Sequence, residues 1–117
     1  MEKVTIWHNP RCSKSRNSLS LLEEEGIDAE VVKYLDNVPT KEELREMLKM
    51  LGMESVRELM RTKESIYTEL NLADENSEEV LLLAMVENPK LIERPIVIKG
   101  NKAAIGRPIE NIVELLK

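Results

Sequence analysis

The sequence predicts an α/β fold in which a mixed sheet is assembled from two separated halves, strand–helix–strand and strand–strand–helix, with a helical insertion between them. Two observations carry this. Short β-branched apolar runs fall in the first and last thirds of the chain, whereas the middle shows the i, i+3, i+4, i+7 spacing of amphipathic helices. One helical pattern also lies between the first two strand-like runs, and a connection of that length suits parallel pairing through a right-handed crossover.

Taken in order, Val4–His8 reads as a short buried strand ended by Asn9-Pro10,. Ser13–Glu25 follows as a helix with Leu19 and Leu22 on one face and Gly26 as its stop,. Ala29–Leu35, with Val31, Val32 and Tyr34, reads as the second strand. Thr40 then opens a capping box with Glu43, and Leu44, Met47, Leu48 and Leu51 trace one face of a helix that Gly52 ends,. Ser55-x-x-Glu58 opens another, burying Val56, Leu59 and Met60, and Asn76 with Glu79 opens a third over Val80–Val86. The broad apolar face of that third helix predicts that it is well covered. The methionines Met47, Met50, Met53, Met60 and Met85 fall mostly at core spacing and read as packing,. Ile96–Ile98 and Ala103–Ile105 flank the turn signal Gly100-Asn101 as a hairpin, and Ile109, Ile112, Val113 and Leu116 mark a closing helix,. The order βαβ…ββα is that of a thioredoxin-like fold with a helical insertion at about 40–90, in one domain covering 1–117.

With 42% hydrophobic and 33% charged residues the chain is expected to be globular,. No apolar run approaches the roughly 20 residues that span a bilayer. The strand-like pattern from Met1 to Trp7 leaves no room for a signal peptide,. A net charge of −5 argues against general nucleic-acid binding,. The single cysteine and single histidine, Cys12 and His8, cannot build an ordinary zinc site, so no metal is expected,. A lone cysteine also excludes an internal disulfide, and a cytoplasmic location follows.

Residues 3–22 carry four cations (Lys3, Arg11, Lys14, Arg16) and no acid, although the whole chain is acidic. Positive potential around Cys12 favours the thiolate, which is the nucleophilic form, and the same charge attracts an anion. Cys12 also stands just before a predicted helix, whose N-terminal N–H groups suit a tetrahedral anion. As a buried structural thiol, Cys12 would have apolar neighbours, which Asn-Pro-Arg-Cys-Ser-Lys-Ser lacks. Two readings stand for Ser15: its hydroxyl satisfies a free helix amide, or it donates to the Cys12 sulfur. His8 is either a core histidine at a strand end or a modulator of Cys12. Arg11 and Lys14 read as a solvated basic patch. No second cysteine can resolve an adduct on Cys12, so an external thiol must.

The segment His8-Asn9-Pro10-Arg11-Cys12, followed by Ser15-Arg16-Asn17, resembles the ArsC family of small arsenate reductases. The resemblance continues at Leu59–Lys63, Glu93–Val97 and Gly106–Pro108 and spans essentially the whole chain, closest to the less-characterised YfgD-like branch. It implies a thioredoxin-like fold with Cys12 as nucleophile and with His8 and Ser15 supporting it. It implies Arg61, Arg94 and Arg107 as oxyanion ligands, Pro95 in cis beside the loop, and Asn9 and Arg16 in structural roles at the site. The implied reaction is reduction of arsenate to arsenite by a monomer without a bound cofactor. Glutathione is the implied co-substrate and glutaredoxin the partner that reduces the mixed disulfide. Ser13-Lys14 departs from the Gly-Thr of the well-characterised reductases, which leaves open a thiol-dependent reductase or deglutathionylating enzyme with another substrate. A further alternative is a regulator resembling the Spx proteins, which bind RNA polymerase. Those typically carry Cys-x-x-Cys, whereas Ser15 occupies the second position in this chain.

Overall fold

The computed structural model describes residues 3–117. Met1 and Glu2, where the pattern that argues against a signal peptide begins, lie outside the described residues. The chain forms two compact units, one made of residues up to Asn37 together with Arg94–Lys117, the other of Val38–Glu93.

The first unit is a four-stranded sheet with two helices. Its strands are β1 (Val4–Trp7), β2 (Glu30–Val32), β3 (Ile96–Lys99) and β4 (Lys102–Ile105), in the order β2-β1-β3-β4. β1 and β2 pair in parallel, with Trp7 opposite Val32, as the strand–helix–strand unit requires,. β3 runs antiparallel to both β1 and β4, so the sheet is mixed and the expected hairpin forms. Helix α1 (Ser13–Glu24) is the crossover, and helix α5 (Glu110–Leu116) closes the chain. Val4 and Ile6 alternate onto one face of β1, where Leu22 of α1, Val97 of β3 and Ile112 of α5 complete a core,. This is the thioredoxin-like arrangement.

The second strand is shorter than Ala29–Leu35. The Lys33 carbonyl accepts from Asp36 N at 3.0 Å and from Asn37 N at 2.9 Å, so Tyr34 and Leu35 lie in a turn. The first strand likewise ends at Trp7, although His8 N still donates to Val32 O at 2.8 Å and extends the ladder by one bond.

The second unit is helical. Helix α2 (Lys41–Leu51) starts with both halves of the Thr40–Glu43 capping box formed, and Gly52 ends it in the left-handed region at φ 71°. Both halves of the Ser55–Glu58 box also form, but only a single 3-10 turn, Val56–Leu59, follows. Met60 then becomes extended, bridging to Ile92, and Arg61 N donates to Leu91 O at 2.7 Å, so the chain leaves the helix for this pairing. A short helix, α3 (Ser65–Glu69), has no apolar period long enough to announce it. Helix α4 (Glu78–Glu87) is capped by Ser77 rather than Asn76. With Ser77 as the cap, Val80 holds the box position, and the Glu79 carboxylate pairs with Arg45 and Lys41 instead. Leu81, Leu82, Ala84 and Met85 are buried, but Val80 and Leu83 are each 43% exposed, so α4 is less fully covered than its pattern suggests. Met47, Met60 and Met85 are core residues. No helix among the described residues is long and apolar enough to cross a membrane.

Candidate active site

The loop between β1 and α1 is held by its own hydrogen bonds. Asn9 O accepts from Cys12 N at 3.0 Å, and Asn9 Oδ1 accepts from Arg11 N at 3.0 Å. Arg16 reaches back from the first turns of α1 and donates from Nη1 to Pro10 O at 2.9 Å. These short links fix Cys12 as the N-cap of α1, in extended backbone.

Ser15 ties the loop to the strand. Its Oγ lies 2.6 Å from His8 Nδ1 and accepts from Asn9 N at 3.0 Å. Its hydroxyl is therefore committed to His8 and Asn9, and it is the Ser15 backbone N–H that acts on the sulfur. His8 is 5% exposed and Ser15 is fully buried. Burial above all, and then the charges of Lys33 and Arg16, hold the His8 imidazole below its ordinary pKa,. His8 is thus a neutral ring at neutral pH that bonds Ser15.

Cys12 is only 8% exposed, so its polar sequence neighbours do not leave it open to solvent. Its side chain makes no capping hydrogen bond of ordinary geometry. Burial pushes the thiol up. The Ser15 N–H, the Arg94 guanidinium through hydrogen bonding and charge, and the Lys14 N–H outweigh it, and the pKa lies below the ordinary thiol value,. Arg107 adds a direct contact, with Nη2 3.5 Å from the sulfur. Arg107 Nε also donates to the Arg94 carbonyl at 2.9 Å, which links the two arginines. Arg94 Nε is buried without a hydrogen-bond partner among the described residues. Two guanidiniums with unused donors beside a low-pKa sulfur suit a multiply charged oxyanion.

The peptide bond before Pro95 is cis, as the resemblance implies, and the one between Arg107 and Pro108 is cis as well. Arg11 and Lys14 are exposed. Arg61 belongs to the second unit, where its Nε lies 3.3 Å from Glu64 Oε1 and its Nη1 4.0 Å from Glu93 Oε1. Among the described residues no group of three or more His, Cys, Asp or Glu side chains could hold a metal ion.

Three contributors to this region have no role assigned to them by the sequence motifs. Lys33 depresses the His8 pKa from a position beyond β2. Ser18 is fully buried on the same face of α1 as Ser15, although a serine at helical spacing reads as solvent-facing,. Gly106 is buried at the end of β4, and a glycine closing an apolar strand was the available sign of a close backbone approach,.

A sequence profile described as the ArsC family matches residues 7–115. Among curated proteins, the YfgD protein of Escherichia coli K12, named as uncharacterized, is 58% identical over 116 residues, covering 98% of each chain. A Neisseria meningitidis serogroup A protein named arsenate reductase is 53% identical over 117 residues, covering 99% of this chain and all of its own. Among solved structures, a putative arsenate reductase from Yersinia pestis superposes with a TM-score of 0.93 at 54% identity, over 96% of this chain and 99% of its own. An arsenate reductase from Vibrio cholerae gives 0.93 at 51% identity over 97% of both. Sequence and fold agree along nearly the whole chain, which belongs to the ArsC family.

Proposed function

We propose that this protein reduces arsenate to arsenite through Cys12. The observation that carries the reading is the Cys12 sulfur at the N-cap of α1, with Arg107 Nη2 3.5 Å away and the thiol pKa depressed. Relatives more than half identical bear the name arsenate reductase. Arg94 and Arg107 bind the oxyanion with the amides of the α1 first turn; for Arg61 the role rests on its motif alone. The Cys12 thiolate attacks arsenic, an S–As bond forms, and one oxygen leaves as water after taking up protons. Glutathione thiolate then attacks the Cys12 sulfur. An S–S bond forms, the S–As bond breaks, and its electron pair reduces As(V) to As(III), which leaves as arsenite. Glutaredoxin reduces the Cys12–glutathione disulfide.

An external thiol is required because Cys12 has no partner cysteine in the sequence. We place the cycle in the cytoplasm, where glutathione is abundant and reduced, and assign it to a monomer. His8 and Ser15 hold the loop and the α1 first turn in place, and Asn9 and Arg16 brace it. A second reading keeps Cys12 and changes the substrate. It is favoured by Ser13 and Lys14, exposed at the first turn of α1 in place of the family Gly-Thr. The test is arsenite formation from arsenate with glutathione and glutaredoxin supplied, wild type against Cys12→Ala. Equal rates would refute the proposal. Turnover of a glutathionylated substrate with arsenate inert would select the second reading.

A further inference from the structure

We infer that Gly106, packed against Ser18, is a positioning residue that sets Arg94 and Arg107 at their distance from the Cys12 sulfur. The inference rests on reading Cys12 as the nucleophile. Gly106 is buried, and its N–H donates to the Pro95 carbonyl at 2.9 Å. A Cβ placed on it would lie 2.6 Å from Ser18 Oγ, 2.8 Å from Pro95 Cγ and 3.4 Å from Ile112 Cγ1. The first two separations are shorter than nonbonded atoms allow. Ser18 is fully buried and the proline ring is rigid, so neither gives way freely,. A residue without a side chain therefore lets α1, the segment entering β3 and α5 converge at one point.

That point lies one residue from each arginine that reaches the sulfur. Pro95 follows Arg94, and Arg107 follows Gly106. The Arg107 Nε bond to the Arg94 carbonyl closes the circuit at 2.9 Å. On the helix side, Ser18 stands on the element that Cys12 caps, on the same face as Ser15. The distance from sulfur to guanidinium is thus set through a backbone-to-serine contact between the two sides. Ser18 Oγ has no hydrogen-bond partner among the described residues, so shape rather than bonding defines this contact.

The test is Gly106→Ala, read by the pH dependence of Cys12 alkylation by iodoacetamide and by arsenate protection against it, with thermal melting alongside. The expected result is an alkylation midpoint moved up toward the ordinary thiol value and protection weakened roughly tenfold to a hundredfold, as misplacements near 1 Å produce. Adding Ser18→Ala, which removes the atom met at 2.6 Å, should recover part of both losses. A Gly106→Ala protein that melts lower but keeps the wild-type midpoint and protection overturns the inference, because the glycine then only packs. Should Gly106→Ala fail to fold, Ser18→Thr crowds the same contact from the helix side, and an unchanged midpoint there also overturns it. If arsenate does not protect even wild-type Cys12, the arsenate reading fails, while the midpoint still decides the positioning role.

Discussion

Arg107 and Cys12 stand 95 positions apart in the chain, yet Arg107 Nη2 approaches the Cys12 sulfur to 3.5 Å. The contact exists because β1 and β4 flank β3 in one sheet, which brings the end of β4 beside the loop that follows β1. Thiol and guanidinium are therefore joined only when the sheet has formed.

Arg94→Ala should raise the Cys12 alkylation midpoint toward that of an ordinary thiol, since Arg94 acts on the sulfur by both hydrogen bond and charge. Arg107→Lys keeps the charge but loses the fork that holds the Arg94 carbonyl,. We expect arsenate protection of Cys12 to weaken by about tenfold, the value of one hydrogen bond to a charged group. Wild-type protection in Arg107→Lys would rule out a role for the guanidinium beyond its charge.

Ser15→Ala should destabilise the fold by about 1–3 kcal/mol, because it strands the Asn9 N–H and buried His8 Nδ1 without their partner,. Ser13→Ala, at an exposed neighbouring position, should change stability by less than about 0.5 kcal/mol,. Urea unfolding of the two variants measures the contrast, and equal midpoints would remove the bracing role of Ser15.

His8 gives a pH dependence with a fixed sign. Its folded pKa lies below the ordinary imidazole value near 6.5,. Between the two values the unfolded chain binds the extra proton, so stability rises with pH across that window and is lost as pH falls through the folded pKa. The Cys12 thiol, also depressed, follows the same sign at higher pH, its contribution being present above the ordinary thiol value and lost as pH falls through its folded one. Unfolding free energies measured from pH 7.5 downward should decline less steeply below about 6.5 in His8→Gln than in wild type. Parallel curves would show that His8 does not titrate on unfolding.

In the helical unit, Thr40→Ala removes one side of a complete capping box and should cost about 1 kcal/mol,. Gly52→Ala forces a side chain into φ 71° and should cost about 1 kcal/mol or more,. The two sites bound opposite ends of α2, so the double variant should show their sum within about 0.5 kcal/mol. Marked non-additivity in urea unfolding would mean that α2 is not held by independent caps.

What the sequence made legible was mostly local. The Thr40–Glu43 box, the Gly52 stop and the Gly100-Asn101 hairpin each lie within a few residues, and each forms. Local signals failed where a distant partner competed. Glu79 pairs with Arg45 instead of closing a box with Asn76, and Met60 bridges to Ile92 instead of continuing a helix. At the candidate site, the basic loop around Cys12 is readable directly, but the arrival of Arg94 and Arg107 depends on strand order and came only from resemblance. The inward face of α1 was hidden for a different reason. Periodicity counts serine as polar, so Ser18 carries no sign of facing inward, although it is fully buried on the same face as Ser15,.

That serine face makes α1 mechanically uneven. Its far half is keyed into the core by Leu22, while its near half is held by the Ser15 hydroxyl and a short loop. Substitutions at the near end therefore reach Cys12 through the loop it caps, whereas those at Leu22 reach the core of the sheet.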